Sequence, residues 1–199
     1  FSAWQHLNEA RSTDVAAIRR AKIAATVHLD FVASLYAEQI AGGRYFLHEH
    51  PLHATSWFVP SIPKLMNMPQ VQLAEGDQCQ FGAEVRAGHM QGFPIKKPSG
   101  FLTNSNELCE VLSERCTGHR GLCSLPGGGR HVQCSGRIAK EAAIYPRGLC
   151  KAVLRRIRNQ LRTDGLMKDG CYGIHALDGD AEIERNLRGP DQGYSGQFK

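Results

Sequence analysis

The residues best suited to chemistry are concentrated between positions 116 and 134. Cys116, His119, Cys123, His131 and Cys134 follow one another with the spacing C-x₂-H-x₃-C-x₇-H-x₂-C. Thiolates and imidazoles at such short intervals are typical ligands of tetrahedral zinc. Five candidates for four positions do not form a standard finger, and the alternative is a flexible loop with reduced cysteines. Because the loop has no apolar periodicity, a bound zinc ion would be what orders it.

A second candidate is Glu49, in the segment His48-Glu49-His50-Pro51. On a strand the two histidines would share one face and Glu49 would take the other. A carboxylate at the carboxyl end of a buried parallel strand lies where open α/β sheets bind ligands. Glu49 is therefore predicted to hydrogen-bond a polar ring or to transfer a proton. The alternatives are a capped strand end with solvated histidines, or a metal held by His48, His50 and His53.

A third candidate is the basic side of a helix predicted from Pro146 to about Arg162. The proposed contacts to phosphates are Arg147, Lys151, Arg155 and Arg158. Such a face can neutralise DNA phosphates, and its affinity would then fall steeply with salt. The alternative is an ordinary charged face that is exposed to solvent.

The elements that position Glu49 can be predicted from local signals. Residues 12–14 offer helix-capping oxygens, and apolar residues then recur at helical spacing up to Ile40. Gly42 and Gly43 end this helix, and residues 44–49 read as a buried strand. A long helix that leads into a strand indicates a βαβ unit, in which an earlier parallel strand would precede Phe1.

The remaining elements are less strongly marked. The capping pair Asn104 and Glu107 predicts a helix that runs to Arg115. The other predictions are a loop over 51–70 with a short helix near 62–66, strands at 71–79 and 101–103, and a short helix at 138–144. We expect residues 1–162 to form the domain and the glycine-rich residues 163–199 to form a mobile tail.

Composition restricts the class of protein. With 42% hydrophobic and 22% charged residues, the 199-residue chain is not a disordered one. No run of eighteen apolar residues is present, so no membrane partner is predicted. The net charge of +5 permits an anionic partner, and seven cysteines without a secretory leader indicate an intracellular protein with free or metal-bound thiols. Because the chain starts at Phe1, we expect it to be part of a longer polypeptide.

Several segments in a fixed order resemble a known family. They are residues 46–51 (FLHEHP), 77–82 (DQCQFG), 96–105 (KKPSGFLTNS), Cys116 with Gly118-His119, and 142–146 (AAIYP) leading into 149–152 (LCKA). Together they resemble the C-terminal portion of a DNA cytosine methyltransferase-like domain. The form most similar to them occurs in phage-type enzymes and in polyproteins of copia-type retrotransposons.

This resemblance implies an α/β fold with part of a class I, Rossmann-like methyltransferase sheet. It implies that Glu49 matches the acid that contacts the cytosine ring, with His48-Glu49-His50 in place of Glu-Asn-Val. The motifs for S-adenosylmethionine and for the Pro-Cys nucleophile would lie before Phe1, in the upstream part of the parent polypeptide. DNA would be the partner. The alternative is a non-catalytic nucleic-acid-binding or structural module of a retroelement polyprotein.

Overall fold

A three-stranded sheet with helices on both faces organises the chain. The computed structural model describes residues 9–10 and 13–167. The strands are β1 (Leu47–Pro51), β2 (Gln72–Asp77) and β3 (Pro98–Thr103), in the spatial order β1-β3-β2. The middle strand runs antiparallel to both neighbours, so β1 and β2 point in the same direction. The architecture is mixed α/β with a small antiparallel sheet.

The direction of β1 corrects the predicted parallel pairing. Residues 44–49 were expected to form a parallel strand, whereas β1 pairs antiparallel with β3 and places Glu49 opposite Phe101. A preceding helix does not determine which strand becomes the neighbour, and here the neighbour comes from a later segment. Within residues 13–167 the other edge of β1 has no paired strand. The sheet does not confirm a Rossmann-like fold, because β1, whose parallel pairing was the premise of the methyltransferase prediction, runs antiparallel to its one neighbour within residues 13–167.

The long helix α1, Val15–Ala41, confirms the helix predicted from the capping residues and the apolar spacing. The Asp14 carboxylate caps it by accepting a 2.7 Å hydrogen bond from the Ala17 backbone N–H. Gly43 then turns the chain with a positive φ of 65°, a conformation that costs glycine little. None of the helices within the described residues has both the length and the apolar character needed to cross a bilayer.

Four shorter helices complete the described chain. They are α2 (Ser61–Met66), α3 (Asn106–Leu112), α4 (Gly136–Glu141) and α5 (Arg147–Thr163), with 3-10 turns at Thr55–Phe58 and Gln78–Phe81. Each strand and helix that was predicted within residues 13–167 is present within a few residues of its expected bounds. The predicted tail, residues 163–199, lies outside the described residues from 168 onward.

The cap of α3 lies one residue later than predicted. Ser105, not Asn104, accepts the 3.3 Å hydrogen bond from the Leu108 N–H. The Asn104 side chain instead accepts from the Phe46 N–H at 3.0 Å and donates to the Arg44 carbonyl at 2.9 Å. Asn104 therefore holds the chain that enters β1 beside the end of β3.

Two adjacent residues of β3 point into two different hydrophobic cores, one on each face of the sheet. Leu102 is fully buried against α1, α2 and the first 3-10 turn, whereas Phe101 is 1% exposed and packs with α3 and α5 on the opposite face. Burial of such a side chain contributes about 1.5–3 kcal/mol relative to exposure. A third, smaller core lies beneath the loops and consists of Ala83, Val85, Ile95 and Ala142.

Candidate functional site

Four side chains from distant segments form a compact metal-binding group. The ligand atoms of Cys79, Cys116, Cys123 and His131 all lie within 4.8 Å of one another. The Cys116 Sγ lies 3.9 Å from the Cys123 Sγ and 3.7 Å from the His131 Nε2. Zinc bonds of about 2.3 Å to sulfur and about 2.0 Å to nitrogen place tetrahedral ligands about 3.8 Å and about 3.6 Å apart. The group could therefore hold a metal ion.

The polypeptide backbone places two of these ligands on the same face of a bridged pair of segments. Leu122 and Arg130 form an antiparallel bridge, which pairs Cys123 with Gly129 and Gly121 with His131, so Cys123 and His131 lie diagonally across the pair. The Cys123 N–H donates to the Gly129 carbonyl at 2.8 Å, and the His131 N–H donates to the Gly121 carbonyl at 2.7 Å. The loop thus folds back on itself and presents both ligands toward the end of β2.

Cys79 and Cys116 belong to the sheet side of the group. Cys79 is fully buried in the 3-10 turn that follows β2. Cys116 follows α3, and its backbone N–H donates a 2.9 Å hydrogen bond to the buried carboxylate of Asp77. The same carboxylate lies 3.3 Å from the Arg115 guanidinium. The last residue of β2 therefore fixes where Cys116 stands.

The thiols of the group differ in acidity. Burial raises the pKa of Cys116, but the Ser124 hydroxyl and the backbone N–H groups of Ser124 and Gly118 outweigh it and lower the pKa to about 6. Burial, together with the nearby thiols of Cys123 and Cys116, raises the pKa of Cys79 to about 12. A cation would favour the thiolate of both, because it supplies the compensating positive charge.

The structure assembles three of the five predicted ligands. Cys116, Cys123 and His131 join the group, whereas His119 and Cys134 are not members. The His119 side chain is exposed, and Cys134 packs against the third core. Sequence spacing missed Cys79, which lies far from the loop. No local signal could have found it, because the loop already offered five candidates for the four positions of a tetrahedral site.

Glu49 lies within β1, half-buried, and is bonded to three side chains. One carboxylate oxygen accepts from the Ser99 hydroxyl at 2.7 Å and from the Gln78 amide at 3.2 Å. The other oxygen accepts from the Tyr145 hydroxyl at 2.6 Å. Burial and the Glu49 carboxylate both raise the pKa of Tyr145, so the phenol stays protonated and donates. The network therefore joins β1 to β3, to the turn that follows β2 and to the segment that precedes Arg147.

The histidines of β1 lie together on the face opposite Glu49, as the strand alternation predicted. The rings of His48 and His50 stack with centroids 5.5 Å apart. The His50 ring is 2.7 Å from the Ser56 hydroxyl, and the His48 ring is 3.3 Å from the Tyr36 hydroxyl. Within residues 13–167 these rings and His53 form no metal-binding group. Burial lowers the pKa of His48 to about 4.

The four predicted phosphate contacts lie on α5 with different exposures. Arg147 is exposed and Arg155 is half-buried, whereas Lys151 and Arg158 are 8% and 7% exposed. Because Lys151 and Arg158 are buried, the basic surface that a nucleic acid could reach on α5 is smaller than predicted. DNA binding by α5 stays a prediction.

Comparison with protein-family models, with curated proteins and with solved structures gives no match to this chain. A function can therefore be inferred only from the geometry of the metal-binding group and of the side chains around Glu49.

Proposed function

We propose that this chain is a zinc-binding α/β domain with a structural site formed by three cysteines and one histidine. The observation that carries the proposal is the convergence of four ligand atoms within 4.8 Å from a sheet turn, a helix end and a loop. Four protein ligands fill a tetrahedral site, whereas a catalytic zinc ion keeps one position for water or substrate. The ion would fasten the loop of residues 113–135 to the end of β2.

Zinc content tests this proposal directly. Protein purified without chelator is expected to hold about one equivalent of zinc, and Cys79→Ser should lose most of it. Cys134→Ser is the matched control, because Cys134 belongs to the sequence pattern but not to the cluster. Substitution of cobalt should give the visible spectrum of a tetrahedral thiolate site. Less than about a tenth of an equivalent in the unmodified chain, or equal losses in both variants, would overturn the proposal.

We also infer a second role, as the C-terminal part of a methyltransferase-like domain. Three features support it: the shared direction of β1 and β2, the unpaired edge of β1 within the described residues, and the donors around Glu49. Mixed sheets are common among large α/β sheets. The upstream part of the parent polypeptide would add parallel strands, S-adenosylmethionine binding and the nucleophile.

In this role Glu49 would orient the base, and Ser99, Gln78 and Tyr145 would orient Glu49. Glu49→Gln in the polypeptide that carries the upstream segment should reduce methyl transfer by at least tenfold while the melting temperature stays within a few degrees. Tyr145→Phe should give a smaller loss, because two donors to the carboxylate remain. Unchanged turnover in Glu49→Gln would remove Glu49 from the mechanism.

DNA binding is the companion proposal, and Arg147 and Arg155 are its test residues. Charge reversal at both should weaken binding and reduce the slope of log affinity against log salt by about two. An unaltered slope would show that this face is only solvated.

A further inference from the structure

The helix α1 carries a second apolar face that the core does not use. Ile23, Val27, Phe31 and Leu35 recur every four residues and are 58%, 64%, 58% and 39% exposed. The buried residues of α1, such as Leu29, lie on the opposite side of the helix. A helix with apolar residues on both sides usually packs against two partners. This stripe is therefore an interaction surface.

The stripe is self-complementary when it is reversed. Its four residues are placed symmetrically about position 29, so Ile23 lies as far before that point as Leu35 lies after it. Val27 and Phe31 are related in the same way. Two copies of α1 that cross antiparallel at position 29 would set Ile23 against Leu35 of the partner subunit and Val27 against Phe31 of the partner subunit. Such a contact is isologous, as a twofold dimer requires.

The charges on this side of α1 follow the same symmetry. Arg20 and Glu38 are both exposed and lie at equal distances from position 29, beyond the two ends of the stripe. In the antiparallel pair each Arg20 would face Glu38 of the partner subunit. A parallel pair would instead place like charges together, which disfavours that arrangement.

We propose that this chain forms a twofold symmetric dimer through an antiparallel contact of α1, with the stripe of residues 23, 27, 31 and 35 as its apolar centre. The occupant of the stripe is a second copy because one reversal brings Arg20 and Glu38 together at both ends of the apolar residues. Stable interfaces bury about 800 Å² on each partner, and one helix face supplies less than that. The expected dissociation constant is therefore on the order of 1–100 μM.

Sedimentation equilibrium of the full chain, from about 1 to 300 μM, should show a concentration-dependent monomer–dimer equilibrium. Phe31→Glu should raise the dissociation constant at least tenfold, because it places a carboxylate in the apolar centre. Phe58→Ser is the matched control: Phe58 is 81% exposed but lies outside α1, so the equilibrium should not change. A monomer at every concentration, or a dimer that Phe31→Glu does not weaken, overturns the proposal.

A mixing experiment tests the register. Arg20→Glu and Glu38→Arg should each dimerise poorly alone, since each places like charges opposite one another. An equimolar mixture should dimerise at least as well as the unmodified chain, because one copy then presents two acidic ends and the other presents two basic ends. Folding of each variant is checked by its circular dichroism spectrum. A mixture that stays as monomeric as its components would exclude this interface and leave the stripe to a different partner.

Discussion

Cys79 and Cys116 bring their sulfur atoms within 4.8 Å of each other, although one follows β2 and the other follows α3. The carboxylate of Asp77 connects them, because Asp77 ends β2 two residues before Cys79 and accepts a hydrogen bond from the Cys116 N–H. Cys79 and Cys116 are therefore held in place by the sheet, and the loop supplies the other two ligands, Cys123 and His131.

Removal of zinc should loosen one region only. The loop of residues 113–135 has few buried apolar side chains, whereas the sheet and α1 belong to apolar clusters that need no metal. With chelator, amide hydrogen exchange should accelerate in residues 113–135 and remain slow in β3. Equal acceleration throughout the chain would mean that the metal controls global folding. No change would mean that the loop is ordered without it.

Substitution of Gly118, which lies beside the metal-binding group, should weaken zinc binding more than substitution of the adjacent His119. A Cβ atom on Gly118 would collide with the Leu122 carbonyl oxygen and come within 2.9 Å of the Cys123 carbonyl carbon. Gly118→Ala should therefore displace Cys123 and weaken zinc binding at least tenfold in a competition titration. His119→Ala is the control, because His119 is not in the cluster, and it should bind zinc as the unmodified chain does. If His119→Ala weakened zinc binding more than Gly118→Ala did, His119 would be a ligand, as the sequence spacing predicted.

Asp77→Asn should destabilise the fold by about 1–3 kcal/mol, because the buried acceptor of the Cys116 N–H and of Arg115 loses its charge. Chemical denaturation would measure the loss. Glu75→Gln provides the matched control: Glu75 also pairs with Arg115, at 3.3 Å, but its side chain is 55% exposed. Exposed ion pairs contribute about 0–1 kcal/mol. Similar losses in both variants would contradict a special role for Asp77.

His48 should make the fold sensitive to acid. Its pKa is lowered from 6.5 to about 4, first by burial and then by the charge of His50. Between these values the unfolded chain binds the proton and the folded chain does not, so stability is complete above pH 6.5 and declines as the pH falls toward 4. The loss amounts to about 3 kcal/mol at most. His48→Phe should flatten the pH profile of the unfolding free energy, and an unchanged profile would show that His48 is not responsible.

Local signals were sufficient for the elements and insufficient for their pairing. The Asp14 cap and the Gly43 turn fixed the ends of α1 because both act within a few residues. The predicted pairing of β1 was wrong because its partner, β3, lies far along the chain, and no nearby turn specifies that contact. A parallel neighbour was inferred from the helix that precedes β1, but that helix does not determine which later segment pairs with the strand.

The ligands of the metal-binding group also differ in whether local sequence could predict them. Cys116, Cys123 and His131 could be found from spacing because a single loop carries them. Cys79 could not, since its place depends on how β2 packs beside α3. Cys134 has suitable chemistry and suitable spacing, but the chain at that point turns toward Ile138 and the third core. Spacing identifies possible ligands, and tertiary packing chooses among them.

The strand order has a consequence for how the protein is made. Because β3 lies between β1 and β2, the two outer strands are not hydrogen-bonded to each other, and neither can pair in this sheet before the middle strand is present. On the ribosome, residues 47–77 would emerge as unpaired segments until residues 98–103 have been synthesised. During that interval α1 can form alone, since its hydrogen bonds are local. Closure of the sheet is thus a non-local step that follows the synthesis of β3.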